Sequence, residues 1–569
     1  MIKDHKLYSV PKITSIQQMV LHTAKMYKDK LAIEDLTDYP ISRATYDQLQ
    51  NYIIRFGKSL YDLGLKERDH IAVIGDNRLQ WGITYLTAMC FNFVIVPIDK
   101  NLNQNEILNI MHESDVKAIV FSDTFEPLMK EKKHVLPALK YYINMDLLEN
   151  NDGIYSMFDM ITKQNSSLGS FPVISPDDTA EIIFTSGSLG RAKGVMLTQK
   201  NLAANLMAMT SMIQIVPEDR FLSVLPIHHT YECTCGFLCP LYSGGSVHYA
   251  RSLKTVVDDL QKVQATILLG VPLLYDKMFK RIYKGIQEDK VKSKIVPPLV
   301  KITNIADSLG WKGAKKKVFK ELHHKFGGSI RLFIAGGAAP DPKVAKGLRE
   351  FGFNFVQGYG LTETSPILAL NRIDAFKDNA AGLPLPGVRI IINNPNEQKA
   401  GEIYVKGDSI MKGYYKNEKL TDEAFDNGWF KTGDAGFFDE DGFLHINGRV
   451  KNVIISKTGE NVYPEEIEDI LNRSPFIQES MVYGEEDEKH SEIIAVQIVT
   501  DAESFIEYSE KNNKTITPEL VNEIIDGVVK TVNKTLPVYK QIRKFYIRDS
   551  EFEKTTTQKV KRYLVKHNS

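Results

Sequence analysis

The sequence predicts an α/β protein: a large N-terminal domain of two parallel-type sheets with helices plus a β-rich subdomain, then a small α+β C-terminal domain. Over the first 370 residues, short runs rich in Val and Ile (Ile71 to Ile74, Phe93 to Val96, Ala118 to Phe121, Ile267 to Leu269, Ile330 to Ile334) alternate with amphipathic stretches such as Asn105 to Ser114. That is the pattern of parallel strands covered by helices. From Gly401 to Gly448 the strand and turn signals crowd together, with Asp439, Glu440, Asp441 and Gly442 forming a hairpin signal before Phe443 to Ile446. At 569 residues the chain also exceeds what one hydrophobic core usually supports. The expected domains are residues 1–449 and 450–569, with a hinge near Lys451.

Composition excludes several classes of function. The chain is 43% hydrophobic and 25% charged, and its 71 basic and 71 acidic side chains cancel, so no global field draws it to nucleic acid or membrane. The longest apolar run, Ile83 to Ile98, holds Thr84, Thr87 and Asn92 and is broken at Pro97; it reads as a buried helix passing into a strand, too short to span a bilayer. Lys3, Asp4, His5 and Lys6 stand where a secretory leader would be apolar. Cys90, Cys233, Cys235 and Cys239 have no histidine or carboxylate at zinc-finger spacing and read as buried thiols in a reducing cytosol.

The strand Glu181 to Phe184 runs into Thr185-Ser186-Gly187-Ser188-Leu189-Gly190-Arg191-Ala192-Lys193-Gly194, after which Thr198 caps a helix with Leu202, Leu206 and Met209 on one face. Glycines let backbone N–H groups approach phosphate oxygens, hydroxyls add hydrogen bonds, and Lys193 supplies a point charge. The spacing is not that of a Walker loop, in which the lysine directly follows the last glycine. Taken alone, such a loop also reads as a plain connection.

Further motifs follow in order: Ala335-Gly336-Gly337-Ala338-Ala339-Pro340, Gly358-Tyr359-Gly360-Leu361-Thr362-Glu363-Thr364, Thr432-Gly433-Asp434, Gly448-Arg449-Val450-Lys451, Gly459-Glu460-Asn461-Val462-Tyr463-Pro464, and Lys554 to Arg562. Together with the Thr185 to Gly194 loop, this series resembles the adenylate-forming superfamily of acyl-CoA synthetases, adenylation domains and beetle luciferases. The resemblance implies a reaction in which ATP and Mg²⁺ convert a carboxylic acid to acyl-AMP, after which coenzyme A takes the acyl group. The attacking carboxylate is already ionised at neutral pH, so the useful catalysts are cations and fixed dipoles rather than a general base.

By the same resemblance, Thr185 and Glu363 hold Mg²⁺, and Ser186, Gly187, Ser188, Gly190, Lys193 and Thr362 face phosphate. Tyr359, flanked by Gly358 and Gly360, stacks on adenine beside Gly336, Gly337 and Ala338. Asp434 accepts the ribose hydroxyls with help from Arg449. Lys559 approaches the α-phosphate and the substrate carboxylate. Thioester formation then needs Lys559 to withdraw, which implies a mobile C-terminal domain turning about Lys451, with Gly459 lining the passage for pantetheine.

Leu225-Pro226-Ile227-His228-His229-Thr230-Tyr231-Glu232 resembles the long-chain form of the family's central motif, implying a long-chain fatty acid. His228 or His229 then orients the acyl-adenylate, or either is a core histidine. The lysine-rich helical stretch between Pro272 and Ile330 reads as a membrane-contacting element or as a solvated helix face. Leu189, Ala192, Gln199 and Gln558 depart from the family's commonest residues. Three readings follow: a cytoplasmic fatty acid–CoA ligase, either free or peripheral at the inner membrane surface; a ligase that loads an acyl carrier protein or stops at acyl-AMP; and a non-catalytic nucleotide-binding scaffold, against which Glu363, Asp434, Arg449 and Lys559 together speak.

Overall fold

A computed structural model describes the chain except for residues 1–4, 164–170, 187–191, 312, 457–459, 487–491, 556–559 and 566–569. Packing divides the chain into two compact units. The first comprises Met1–Ile390, Val405–Phe430 and Glu440–Leu444; the second comprises Ile391–Tyr404, Lys431–Asp439 and His445–Ser569. The sequence boundary at 449/450 falls inside the second unit.

Two sheets organise the first unit. One runs in the order Gly413–Tyr414, Ala192–Thr198, Thr179–Ser186, Val94–Ile98, His70–Ile74, Ala118–Phe121, Tyr141–Asn144, Tyr155–Ser156. Its strands from Thr179–Ser186 to Tyr155–Ser156 are parallel, and Ala192–Thr198 returns antiparallel. Strands such as Val94–Ile98 and Ala118–Phe121 are buried at every position, which is why they read as unbroken apolar runs rather than as alternation. The run from Ile83 spans the buried helix Leu79–Cys90 and the strand Val94–Ile98, as expected. The other sheet places Leu332–Ala335 between Ile267–Gly270 and Asn354–Gly360, all parallel, so the chain after Ala335 and the end of Asn354–Gly360 emerge side by side.

The β-rich segment holds the strands Arg389–Asn393, Gly401–Lys406, Phe425–Asp426, Trp429–Phe438 and Leu444–Arg449, of which Phe425–Asp426 pairs antiparallel with Trp429–Phe438. Gly442, at φ +82°, turns the chain between two of these strands, as the hairpin signal predicted. The second unit also holds an α+β module: Ile477–Glu486 and Glu492–Thr500 pair antiparallel, Ile542–Arg548 adds parallel, and helices Pro464–Leu471 and Pro518–Asn533 contribute Ile467, Leu471, Ile525 and Val529 to its core. Among the described residues no helix is long and apolar enough to cross a membrane.

One core residue carries a pH prediction. Glu181, on strand Thr179–Ser186, is buried and accepts a hydrogen bond from Tyr85 Oη at 3.1 Å. Burial pushes its carboxyl up to about 8, with the Tyr85 hydrogen bond opposing. Between the ordinary value of 4.5 and about 8, the folded chain keeps a proton that the unfolded chain releases, so stability falls as pH rises through that window. Glu181→Gln keeps the acceptor and removes the slope. It is expected to gain on the order of 3 kcal/mol over wild type between pH 5 and pH 8, read as a Tm difference that widens with pH; a constant difference would disprove the assignment.

Candidate active site

The phosphate side is built on the hairpin of Thr179–Ser186 and Ala192–Thr198, in register Thr185↔Lys193 and Ser186↔Ala192. The expected loop is therefore shorter than the motif: the antiparallel ladder draws Thr185, Ser186 and Lys193 into strands, while Gly187, Ser188 and Gly190 lie outside the described residues. Thr198 caps helix Gln199–Met212 by accepting from Asn201 N, as predicted.

Directly opposed residues of an antiparallel pair project to the same face, so Thr185 shares a face with Lys193. The lysine Nζ lies 2.8 Å from Glu363 Oε1 and donates to Tyr414 Oη at 2.7 Å, and Tyr414 Oη in turn donates to Glu363 Oε1 at 3.0 Å. Glu363 stands on the short turn Thr362–Thr364 and is buried. Burial alone would raise its pKa, but the Lys193 charge and the hydrogen bonds from Lys193 and Tyr414 outweigh burial and hold it below the usual range. Glu363 is thus an anion in a shielded place. Thr185 Oγ1 is also shielded and makes no hydrogen bond among the described residues. An ionised carboxylate and an unsatisfied hydroxyl are hard oxygen donors that fit Mg²⁺, so the residues present suit the ion the sequence implied.

Gly336, Gly337 and Ala338 follow strand Leu332–Ala335, and Gly358, Tyr359 and Gly360 end the neighbouring strand Asn354–Gly360. Ligands of parallel sheets bind outside such carboxyl ends. Glycine is required at 336, where a Cβ would strike the Tyr231 ring, and at 360, where it would collide with the Pro366 carbonyl. Thr362, half-buried, has its hydroxyl 3.5 Å from that of Thr230. Beside Gly358 opens a small apolar cavity of about 40 Å³, walled by Met209, Ile213, Phe221, Tyr231, Ile334 and Leu370 among others. Cys235 and Cys239 line it as well. Burial raises both thiols, Cys239 to about 12, so they meet the cavity as neutral, apolar groups.

His228 and His229 sit just before the π-helical segment Tyr231–Leu238. His228 Nε2 lies 3.3 Å from Asp99 Oδ2, and the two imidazole rings are 4.1 Å apart. His229 is the less buried of the pair.

The second unit carries the other group. Thr432, Gly433 and Asp434 lie on strand Trp429–Phe438, where Gly433 takes φ +71°, a conformation that favours glycine. Asp434 is buried, and Arg449 Nε lies 2.9 Å from its Oδ1 while Nη1 donates to Thr432 O at 3.2 Å. Lys451 is exposed on the turn Val450–Asn452. Lys559 and Gly459 lie outside the described residues. The chain flanking 556–559 is anchored: Lys554 Nζ lies 2.8 Å from Glu479 Oε2, Lys554 and Val560 form a bridge, and Arg562 pairs with Glu468 and donates to Val482 O at 3.0 Å.

Of the residues predicted from sequence, the structure joins Lys193 to Glu363 with Thr185 on the same face, and Asp434 to Arg449. Sequence reasoning missed Tyr414 and Asp99. Neither stands in a motif: Tyr414 acquires its partner through strand pairing, whereas Asp99, after strand Val94–Ile98, meets His228 from beyond strand Arg220–Ser223 of the other sheet; the one available signal was that Asp99 directly follows a predicted strand.

This fold is shared with adenylate-forming enzymes. A model of the AMP-binding enzyme family matches residues 20–415, and one of the AMP-binding enzyme C-terminal domain matches residues 466–559. The chain belongs to the AMP-binding enzyme family. It is 27% identical to the long-chain-fatty-acid–CoA ligase FadD15 of Mycobacterium bovis, across 98% of this chain and 96% of that one. It is 28% identical to the chloroplastic long-chain-fatty-acid–[acyl-carrier-protein] ligase AEE15 of Arabidopsis thaliana, across 83% and 75%. Among solved structures, the anthranilate CoA ligase AuaEII in complex with anthranoyl-AMP superposes with a TM-score of 0.76 over 97% of both chains at 19% identity, a likeness of fold.

Proposed function

We propose that the protein is an AMP-forming fatty acid–CoA ligase acting on long-chain acids. The observation that carries this reading is the apolar cavity against Gly358, beside the strand ends where the family places its nucleotide. The apolar lining favours an alkyl chain over a polar substrate, since burial against it gains about 25 cal/mol per Å² removed from water.

In the first step a carboxylate oxygen bonds to the α-phosphorus of ATP, and the bond from that phosphorus to the bridging oxygen breaks, releasing pyrophosphate. Lys193 and Lys559 offset the negative charge, and Asp434 with Arg449 fixes the ribose. Glu363 and Thr185 would hold Mg²⁺, which when bound neutralises the phosphate oxygens. In the second step the CoA sulfur bonds to the acyl carbon, the acyl–oxygen bond to AMP breaks, and the thiol proton passes to solvent. His229 orients the acyl-adenylate between the steps, and the C-terminal domain turns at Lys451 to bring Gly459 to the pantetheine.

ATP–pyrophosphate exchange across acids from acetate to oleate, followed by addition of CoA, tests this. Exchange that peaks with long chains and then yields thioester is the expected result; exchange confined to short or aromatic acids would overturn the substrate assignment. The resemblance to an acyl-carrier-protein ligase favours a second reading, in which the acceptor is a carrier phosphopantetheine. Thioester on holo-carrier protein and none on CoA would establish it.

A further inference from the structure

Helix Lys292–Ser308 carries two apolar faces. Val296, Leu299 and Val300 pack against the core, with Thr303 buried among them. Ile295, Pro298, Ile302 and Ile305, continued by Leu309, are exposed and recur every three or four residues. That spacing makes one stripe, roughly 130° round the helix from the core side. Ile302 is 60% exposed, Ile305 61%, Leu309 73% and the nearby Trp311 72%. A merely solvated helix face would carry polar residues at these positions, so the solvated-face reading does not account for them.

Charge indicates what covers the stripe. From Lys290 to Lys320 the sequence holds nine lysines and one acid, Asp307, within a chain whose charges sum to zero. Asp307 is engaged by Lys315 at 3.2 Å. Lys294 and Lys301 immediately precede Ile295 and Ile302 and border the stripe, and Lys290, Lys292, Lys316 and Lys317 are exposed around it. We propose that this surface docks on an anionic lipid bilayer: the aliphatic stripe enters the acyl boundary, Trp311 sits at headgroup level, and the lysines meet anionic headgroups. A second copy is a poor occupant, because two such faces brought together oppose lysine rows with no acidic row to answer them. Docking here would set a fatty-acid-using enzyme against the phase in which its substrate dissolves; that consequence rests on the proposed function, whereas the docking does not.

Sedimentation of the full chain with vesicles tests the proposal, comparing neutral phosphatidylcholine with the same lipid containing about 30 mol% phosphatidylglycerol. Binding is expected only with the anionic vesicles and is expected to weaken with salt. Ile302→Asn with Ile305→Asn, and separately Lys292→Glu, Lys294→Glu and Lys301→Glu together, are each expected to weaken it about tenfold or more, with thermal stability and acetate- or fatty-acid-dependent exchange in detergent unchanged. Trp311 emission is expected to shift to the blue with anionic vesicles, and Trp311→Phe removes that shift. Equal binding to neutral vesicles, or binding that survives the isoleucine substitutions, would overturn the proposal. So would a concentration-dependent dimer dissolved by those substitutions, which would make a second copy the occupant.

Discussion

Glu363→Gln lowers ATP–pyrophosphate exchange by about a hundredfold or more, and Lys193→Met turns a flat acid side of the pH–rate profile into a falling limb. Both results come from one triangle: Lys193 Nζ, Glu363 Oε1 and Tyr414 Oη lie within hydrogen-bond reach of one another. Wild-type Glu363 is held below its ordinary pKa of 4.5 although burial pushes the other way, so it stays ionised across the working range and contributes no acid limb. Removing the Lys193 ammonium deletes the largest opposing influence and one of its hydrogen bonds, leaving burial dominant. The carboxyl pKa then rises, and the fraction ionised, with the activity, is lost as pH falls. Glutamine at 363 keeps the shape and the Tyr414 hydrogen bond but offers a neutral oxygen to Mg²⁺, so higher Mg²⁺ should restore part of the rate and Glu363→Asp should retain more than glutamine does. Exchange undiminished by Glu363→Gln, or an unchanged pH profile in Lys193→Met, would remove Glu363 from the site.

How far the sequence reveals such a site depends on whether the information is local. The runs at Ile71, Ala118 and Ile267 became strands beginning at His70, Ala118 and Ile267, because burial on both faces imposes an apolar run that can be read directly. Thr198 was legible as a cap for the same reason: the capping hydrogen bond spans three residues. The Thr185 to Gly194 segment was legible as chemistry but not as shape, since hydroxyls and glycines say nothing about how far a ladder continues. Tyr414 was invisible because its hydrogen bond to Lys193 spans 221 positions and depends on strand Gly413–Tyr414 pairing with Ala192–Thr198. The membrane-facing stripe was half legible: the lysines stand out in the sequence, but the exposure of Ile302 and Ile305 follows only once Val296, Leu299 and Val300 have claimed the core side.

The largest separation of effects is expected between Lys559→Ala and Gly459→Leu. Lys559 is proposed to act only while acid and ATP combine, as a charge at the α-phosphate, so its loss should cut pyrophosphate exchange about a hundredfold to a thousandfold and leave thioester formation from supplied acyl-AMP near wild type. The substitution should leave the surrounding chain in place, because Lys554 is held by Glu479 and Arg562 by Glu468 and Val482, none of which involves the lysine. Gly459, between strands Ile454–Ile455 and Asn461–Val462, is proposed to line the pantetheine passage in the thioester-forming state, so a leucine there obstructs the thiol without touching the adenylation chemistry. Exchange should then persist while thioester output falls, and acyl-AMP should accumulate. Opposite phenotypes from two positions in one small unit require that unit to serve the two half-reactions with different surfaces. If the two variants instead lose both half-reactions in equal measure, a single fixed arrangement of the C-terminal domain suffices, and the turning about Lys451 has no work to do.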